Sequence, residues 1–586
     1  MIKKYFSVFM LLALVLPNVA LAQTGSEAVA KIKDEGINRS QAMKTMHYLS
    51  DVIGARLTNS PSQRLANRWT KEQFEKWGLK NAKVDPWGEF GRSWHLKRFS
   101  AAIVSPEYEV IRAYPKAWSP STGGAITGDV VFIEAANEAD LEKYKGKLKG
   151  AIVLFGGETN ITPGFEPTAT RRTEKELLDL EYAAPPTPQP RQQPSEAQIA
   201  AQRFQTTLAQ FIFDESAAAI LDPGFGVNAG TIRVMGANLP PNANDGVLGR
   251  GRVRVHSKDA PATIPQFVVE TEQFNRMLRR VRQGIALKMQ VELDVEWDDS
   301  DTQAYNTIAE IPGTDLADEV VMIGAHLDSW HSGTGGTDNG AGTTVVMEAM
   351  RILAASGLKP RRTIRAALWT GEEQGLLGSR AYVAKTFGSR NEDGSIDKTP
   401  AYDKFAAYYN LDNGTGQIRG VYAQGNANVR PIFREWLMPF KEWGASTTTI
   451  NNTGGTDHLA YDAIGLPGFQ FIQDAIEYFP RTWHTTQDVA DRTLEQDLVR
   501  SAVIMATFAY HSATTDERLP RKTDPSPYAS LLAASPFADA MEELAFRNSG
   551  WDFAICGHEV HPEEIPQGFP AAFAVSTFAG HSHSAE

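Results

Sequence analysis

Five short segments of the 586-residue sequence carry side chains able to hold a divalent metal: Ala325-His326-Leu327-Asp328, Thr337-Asp338-Asn339, Gly371-Glu372-Glu373, Asn410-Leu411-Asp412 and Trp483-His484-Thr485-Thr486. Imidazole and carboxylate are donors for a borderline ion such as zinc. Two such ions about 3.5–4 Å apart can share one bridging carboxylate. Asp338 suits that bridge, because it lies in the glycine-rich stretch from Gly333 to Gly342, where backbone can approach an ion closely. Asp328, two residues beyond His326, can fix the tautomer of the imidazole. The adjacent Glu372 and Glu373 must send their side chains apart, one toward metal and one toward substrate, where a carboxylate can accept and return a proton. Each residue alone has a plainer reading. His326 could be a packed histidine, the two glutamates a solvated pair, Asp412 the head of an Asx turn, and His484 a turn cap. Their joint placement favours a metal centre.

That placement follows from the elements before them. The apolar runs Val320–Gly324, Ile364–Trp369, Phe405–Asn410 and Gly468–Ile472 read as buried strands, and Thr343–Leu353 reads as a helix with Val346, Ala349, Met350 and Leu353 on one face. Strands alternating with helices predict an α/β fold, a mixed sheet with flanking helices. In such sheets functional side chains gather at the carboxyl ends of strands. Four of the five segments stand at such ends.

Upstream the texture differs. Residues 27–78 read as helical, and Asp129–Ile133, Ala151–Phe155, Ala217–Leu221 and Gln266–Val269 read as strands of a smaller β-rich unit. Pro185, Pro186, Pro188, Pro190 and Pro194 interrupt it in a Gln- and Ala-rich stretch predicted to be an exposed excursion. The predicted organisation is a signal peptide over 1–22, an N-terminal part of the main domain over 23–119, a β-rich insert over 120–270, the main domain over 271–519 and a tail over 520–586. The signal consists of Lys3 and Lys4, the apolar run Phe6–Leu16 and the small-residue site Ala20-Leu21-Ala22. Its apolar run is too short for a bilayer span and ends at Pro17, so cleavage after Ala22 and a periplasmic or secreted protein without a stable membrane span are predicted. A net charge of −12 argues against nucleic acid as a partner. With Cys556 as its 1 cysteine, the chain can form neither an intrachain disulfide nor a thiolate zinc site. Cys556, His558, His561, His581 and His583 of the tail are assigned no role.

The runs Gly324–Trp330, Gly336–Gly342, Trp369–Gly375 and Trp483–Thr486 together resemble the co-catalytic zinc aminopeptidase family, and Leu327-Asp328-Ser329-Trp330 is similar to the form of its carboxypeptidase Q branch. The resemblance covers roughly Asn306 to Leu498 and implies the zinc exopeptidase fold, with the β-rich unit similar to the inserted protease-associated domain of many members. It implies two zinc ions: His326 and Asp412 on one, Glu373 and His484 on the other, Asp338 bridging and Glu372 as catalytic base. It implies a cis peptide between Asp338 and Asn339, at a position where many members have a second Asp. Asp457 and His458 resemble a segment near substrate and are possible substrate-binding residues. Trp330, Tyr478 and Phe479 flank the ligand segments, to wall a pocket or fill the core. The expected activity is hydrolysis of terminal bonds in peptides or dipeptides, amino-terminal cleavage first. The alternatives are a non-catalytic receptor or binding protein on the same fold, or a single-zinc glutaminyl cyclase.

Overall fold

Val320–His326 is buried at every residue, which a central strand covered on both faces requires. In the computed structural model, which describes residues 25–186, 194–244 and 252–522, it belongs to an eight-stranded mixed sheet. The strands are β1 (Lys80–Glu89), β2 (Gln303–Ile311), β3 (Leu316–His326), β4 (Arg362–Trp369), β5 (Phe405–Asn410), β6 (Ile418–Tyr422), β7 (Thr447–Thr449) and β8 (Gly468–Gln473). Their spatial order is β1-β2-β4-β3-β5-β8-β6-β7. The four central strands β4, β3, β5 and β8 run parallel, so their carboxyl ends open on one edge. The signal segment 1–22, Pro188, Pro190 and the tail from 523 with its Cys and His residues lie outside the described residues.

Helices α1 (Ala341–Ala355) and α2 (Glu495–Thr514) pack together on the sheet. Val346, Met350 and Leu353 of α1 are buried with Val503, Ala506 and Phe508 of α2 in one core cluster. Burying each large apolar side chain contributes about 1.5–3 kcal/mol. Helix α1 starts hard against the strand ends: a Cβ on Gly342 would lie 2.3 Å from Leu411 O and 2.4 Å from Asn339 Oδ1. The predicted helical stretch 27–78 contains the helices Ala42–His47 and Pro61–Lys76 and sends Met46, Leu49 and Ile53 into the same core. The second of these helices is capped by Ser60, which accepts from Gln63 N, with Pro61 at its first position.

A second eight-stranded sheet takes its strands from residues 93 to 298. Ser93–Ser105 pairs antiparallel with Lys288–Asp298, and Ile152–Leu154, Ala219–Pro223 and Gln266–Val269 run parallel beyond Ile126–Phe132. The two sheets are joined by a continuous ribbon: Glu89 is opposite Gln303 at the end of the first, and Ser93 is opposite Asp298 at the start of the second. The Gln- and Ala-rich residues after Pro194 depart from the predicted excursion. They form the helix Glu196–Asp214, because Ser195 and Gln198 make a reciprocal capping box at its start. No helix among the described residues is long and apolar enough to cross a membrane.

Candidate active site

The carboxyl edge of the parallel strands brings six side chains to one buried place. His326 ends β3, Asp338 lies in the turn Gly336–Gly340 before α1, and Glu372 and Glu373 follow β4. Asp412 follows β5, and His484 follows the turn Tyr478–Thr482. His326 Nε2 is 3.2 Å from Asp338 Oδ1, 3.3 Å from Asp412 Oδ1 and 3.8 Å from Glu372 Oε2. His484 Nε2 is 3.0 Å from Glu373 Oε2 and 3.3 Å from Asp338 Oδ2. Asp338 thus faces both imidazoles, one through each oxygen. Two triads have donor atoms mutually within 4.8 Å, His326–Asp338–Glu373 and His326–Glu372–Asp412. The Asp338–Asn339 peptide is cis, as the resemblance implies.

The electrostatics are those of a cation site. Burial lowers the His326 pKa, but Asp412 and Glu372 outweigh it and hold the imidazole well above its ordinary value. Burial likewise opposes charge on His484, yet Glu373 and Asp338 lift it to about 10. Burial, with His326 only partly offsetting it, raises Glu372 well above the carboxylate range, and burial together with Asp338 raises Glu373 to about 8. Asp338 goes the other way: burial is outweighed by the two imidazoles, which hold it below its usual value. Four carboxylates and two imidazoles share one buried place, burial and the neighbouring carboxylates push Glu372 and Glu373 toward their neutral forms, and Glu373 Oε1 accepts no hydrogen bond among the described residues. Hard oxygen and imidazole donors with an orphaned carboxylate oxygen fit a divalent metal.

Several residues hold this cluster in shape. His326 Nδ1 lies 3.0 Å from the Asp328 carbonyl oxygen and 3.6 Å from its carboxylate. The carboxylate of Asp328 instead accepts from Thr58 Oγ1 at 2.9 Å and from the amides of Glu372 and Glu373 at 3.4 and 3.3 Å. Asp328 therefore orients both glutamates as well as the histidine. Asp488 accepts from the amide of Thr337 at 2.5 Å, its hydroxyl at 2.7 Å and the amide of Asp338 at 3.2 Å, fixing the turn that carries the bridge. Burial and the charge of Asp338 raise its pKa to about 7. Arg56, fully buried, donates to the carbonyls of Leu327, Thr334 and Gly335 at 2.7, 2.9 and 2.7 Å.

Sequence reasoning passed over Asp488 and Arg56. The first was findable, four residues beyond His484 and two beyond the Trp483–Thr486 run. Arg56 carried no signal, since the carbonyls that it holds beside the site, those of Leu327, Thr334 and Gly335, lie far along the chain. Asp457 is fully buried, and burial, countered by His326, raises its pKa to about 7. His458 Nε2 lies 3.1 Å from Thr453 O, and burial pushes its pKa down to about 3. Trp330 is buried with its ring 5.9 Å from that of His484 and 6.1 Å from that of Trp118 of the second unit.

Comparison with known proteins bears on this geometry. The description Peptidase family M28 matches residues 306–509, which run from β2 into α2 and contain all six clustered side chains. Residues 306–509 are a family M28 peptidase domain. Beyond the M28 domain the likeness continues: the chain is 24% identical to carboxypeptidase Q of Mus musculus over 499 residues, 85% of this chain and 90% of that protein. Among solved structures it is similar to a peptidase M28 precursor from Shewanella amazonensis SB2B, with a TM-score of 0.60 and 21% identity over 86% of this chain and 100% of that one. It is also similar to a zinc aminopeptidase from Bacillus subtilis, with a TM-score of 0.50 and 16% identity over 83% and 97% of the two chains. The M28 domain makes this chain a peptidase, and the structural likenesses speak for its fold.

Proposed function

We propose that this M28 peptidase is an exported zinc exopeptidase that removes the amino-terminal residue from short peptides, dipeptides included. One observation carries the reading: Asp338 presents one oxygen to His326 and the other to His484, with Asp412 and Glu373 on the two outer sides. In this reading His326 and Asp412 hold one zinc, Glu373 and His484 hold a second, and Asp338 lies between them. When bound, zinc supplies Lewis-acid polarisation of a carbonyl and makes water more acidic. Glu372 accepts the proton of the attacking water and returns it to the departing amine. Asp328 holds the backbone of both glutamates, so base and ligand keep fixed directions. The buried rings of Trp330 and Trp483 beside His484 limit the access of bulk water. Asp457, near His326 and Glu372, is a further candidate for substrate contact, with His458 beside it. The second sheet acts as a protease-associated-like unit that supplies no metal ligand.

The test combines metal analysis with a substrate panel. Elemental analysis of the dialysed protein is expected to give two zinc ions per chain, and a saturated value of one overturns the paired site. The zinc-loaded enzyme is expected to cleave aminoacyl-arylamides and free dipeptides but not amino-blocked peptides. Cleavage of blocked peptides from the carboxyl end reverses the assigned polarity.

A further inference from the structure

A cavity of about 140 Å³ lies between the helix Glu196–Asp214 and the strands Ala219–Pro223 and Gln266–Val269 of the second unit. The M28 domain contributes Gln374 to its wall. Gln374 directly follows Glu373, is 4% exposed, and neither its Oε1 nor its Nε2 has a hydrogen-bond partner among the described residues. Asp222 lines the same cavity, also 4% exposed. Its Oδ2 is paired with buried Lys116 at 2.5 Å, while Oδ1 has no hydrogen-bond partner among the described residues.

The cavity adjoins the Glu373/His484 half of the candidate metal cluster through neighbouring residues on two sides, although neither Glu373 nor His484 lines it. On one side is the run Glu373-Gln374. On the other, the segment that supplies Ala237 and Leu239 to the wall is anchored by Val234 N, which donates to His484 O at 2.9 Å. We infer that this cavity is a substrate side-chain subsite for a carboxamide, so that a glutamine beside the scissile bond is preferred; the inference rests on the peptidase reading above. A buried amide with both ends unpaired matches a ligand that donates and accepts at once. A primary carboxamide offers two N–H groups, for Asp222 Oδ1 and Gln374 Oε1, and one carbonyl oxygen for Gln374 Nε2. Lys116 already balances the charge of Asp222, and Arg252 and Arg254 also line the cavity, so a neutral donor fits where an ammonium would meet like charge. Phe155, Phe213 and Ile220 supply apolar wall for the methylene groups.

The experiment measures kcat/KM of the zinc-loaded enzyme on X-Ala and Ala-X dipeptides, with X as glutamine, methionine, glutamate or lysine. At one of the two positions glutamine is expected to exceed methionine by about tenfold or more, the scale set by unpaired polar groups in a specificity site. Gln374→Met is expected to bring that ratio to within about twofold, and Ala209→Phe, which fills the cavity from the helix, to do the same. Equal glutamine and methionine rates in an active wild type overturn the subsite and leave the peptidase reading standing. A preference for lysine overturns the carboxamide assignment. Should no peptide be cleaved, calorimetric titration with glutamine amide and methionine amide decides the cavity by itself. Tighter glutamine amide binding that Gln374→Met abolishes supports it, and equal or no binding of the two overturns it.

Discussion

The amide of Val234 donates to the carbonyl of His484 at 2.9 Å, across the boundary between the second unit and the M28 domain. His484 sits at a φ of 57°, a left-handed conformation that is costly for a residue with a Cβ. Arg233 secures the same loop, donating to Trp483 O at 3.1 Å and Phe479 O at 2.6 Å, with its guanidinium 5.1 Å from the Trp483 ring. The second unit thereby braces the backbone of His484 in this left-handed conformation. Arg233→Met keeps the apolar stem and removes those donors. It is expected to weaken zinc at this half of the site by about 10–100-fold, the usual effect of losing a group that orients a ligand. Competition with a chromogenic chelator measures it, and unchanged affinity with an unchanged circular dichroism spectrum removes Arg233 from this role.

Glu372 and Glu373 are separable by conservative change. Glu372→Gln is expected to keep zinc and lower kcat by about 10²–10⁴-fold, the range for losing a general base. Glu373→Gln is expected to lose or weaken one zinc, since an amide oxygen is a poorer ligand. The triad His326–Glu372–Asp412 brings Glu372 within ligand reach as well, so zinc content and single-turnover rate are measured on both variants. Loss of metal from Glu372→Gln with retention in Glu373→Gln exchanges the two roles.

Gly342→Ala tests how tightly α1 abuts the strand ends. The added methyl meets Leu411 O and the side chain of Asn339, neither free to retreat, because Asn339 bonds both Leu411 O and Gly342 N. A loss of about 1–3 kcal/mol is expected from overpacking. A urea midpoint equal to that of the parent protein shows that the turn gives way more easily than this geometry implies.

Acid sensitivity has a source outside the candidate metal cluster. Burial pushes the His511 imidazole, stacked 5.4 Å from Trp436, down to about 4 from its ordinary 6.5. The folded state then binds fewer protons than the unfolded state between these values. The contribution is fully present above pH 6.5 and is lost as pH falls from there toward 4. His511→Phe, which keeps a ring against Trp436, is expected to reduce the stability lost between pH 7 and 5.5 by about 1 kcal/mol. Denaturant midpoints at the two pH values measure the difference, and parallel acid limbs for parent and variant refute it.

The catalytic sheet was legible where strands were apolar throughout. Val320–Gly324, Ile364–Trp369 and Phe405–Asn410 coincide with β3, β4 and β5 because buried parallel strands need apolar residues on both faces. Lys288–Asp298 was legible and passed over: Met289, Val291, Leu293 and Val295 alternate with polar residues and are the buried face of a long strand. Residues Thr447–Thr449 of β7 offered too short a run to read. In the site, the motif positions of His326, Asp338, Glu372, Glu373, Asp412 and His484 converge in space. The contacts of Arg56 with the loop around Asp338, and of Arg233 with the loop of His484, join residues about 250 or more positions apart and leave no periodic or motif signal.

The ribbon between the two sheets makes the second unit a cassette. Its entry and exit, Glu89 and Gln303, are directly opposite each other on paired strands, and Phe90 N still bonds Thr302 O at 2.8 Å beyond them. Strand ends so placed are those a tight hairpin turn closes. A gene that gained or lost the segment between them would change neither the order nor the register of the catalytic strands. Such an exchange could swap the wall around Gln374 and the brace on His484 in one step while the metal-binding edge of the sheet stayed as it was. The ancestry of the two parts is therefore free to differ, and substrate choice can evolve by replacement of a module as well as by point substitution.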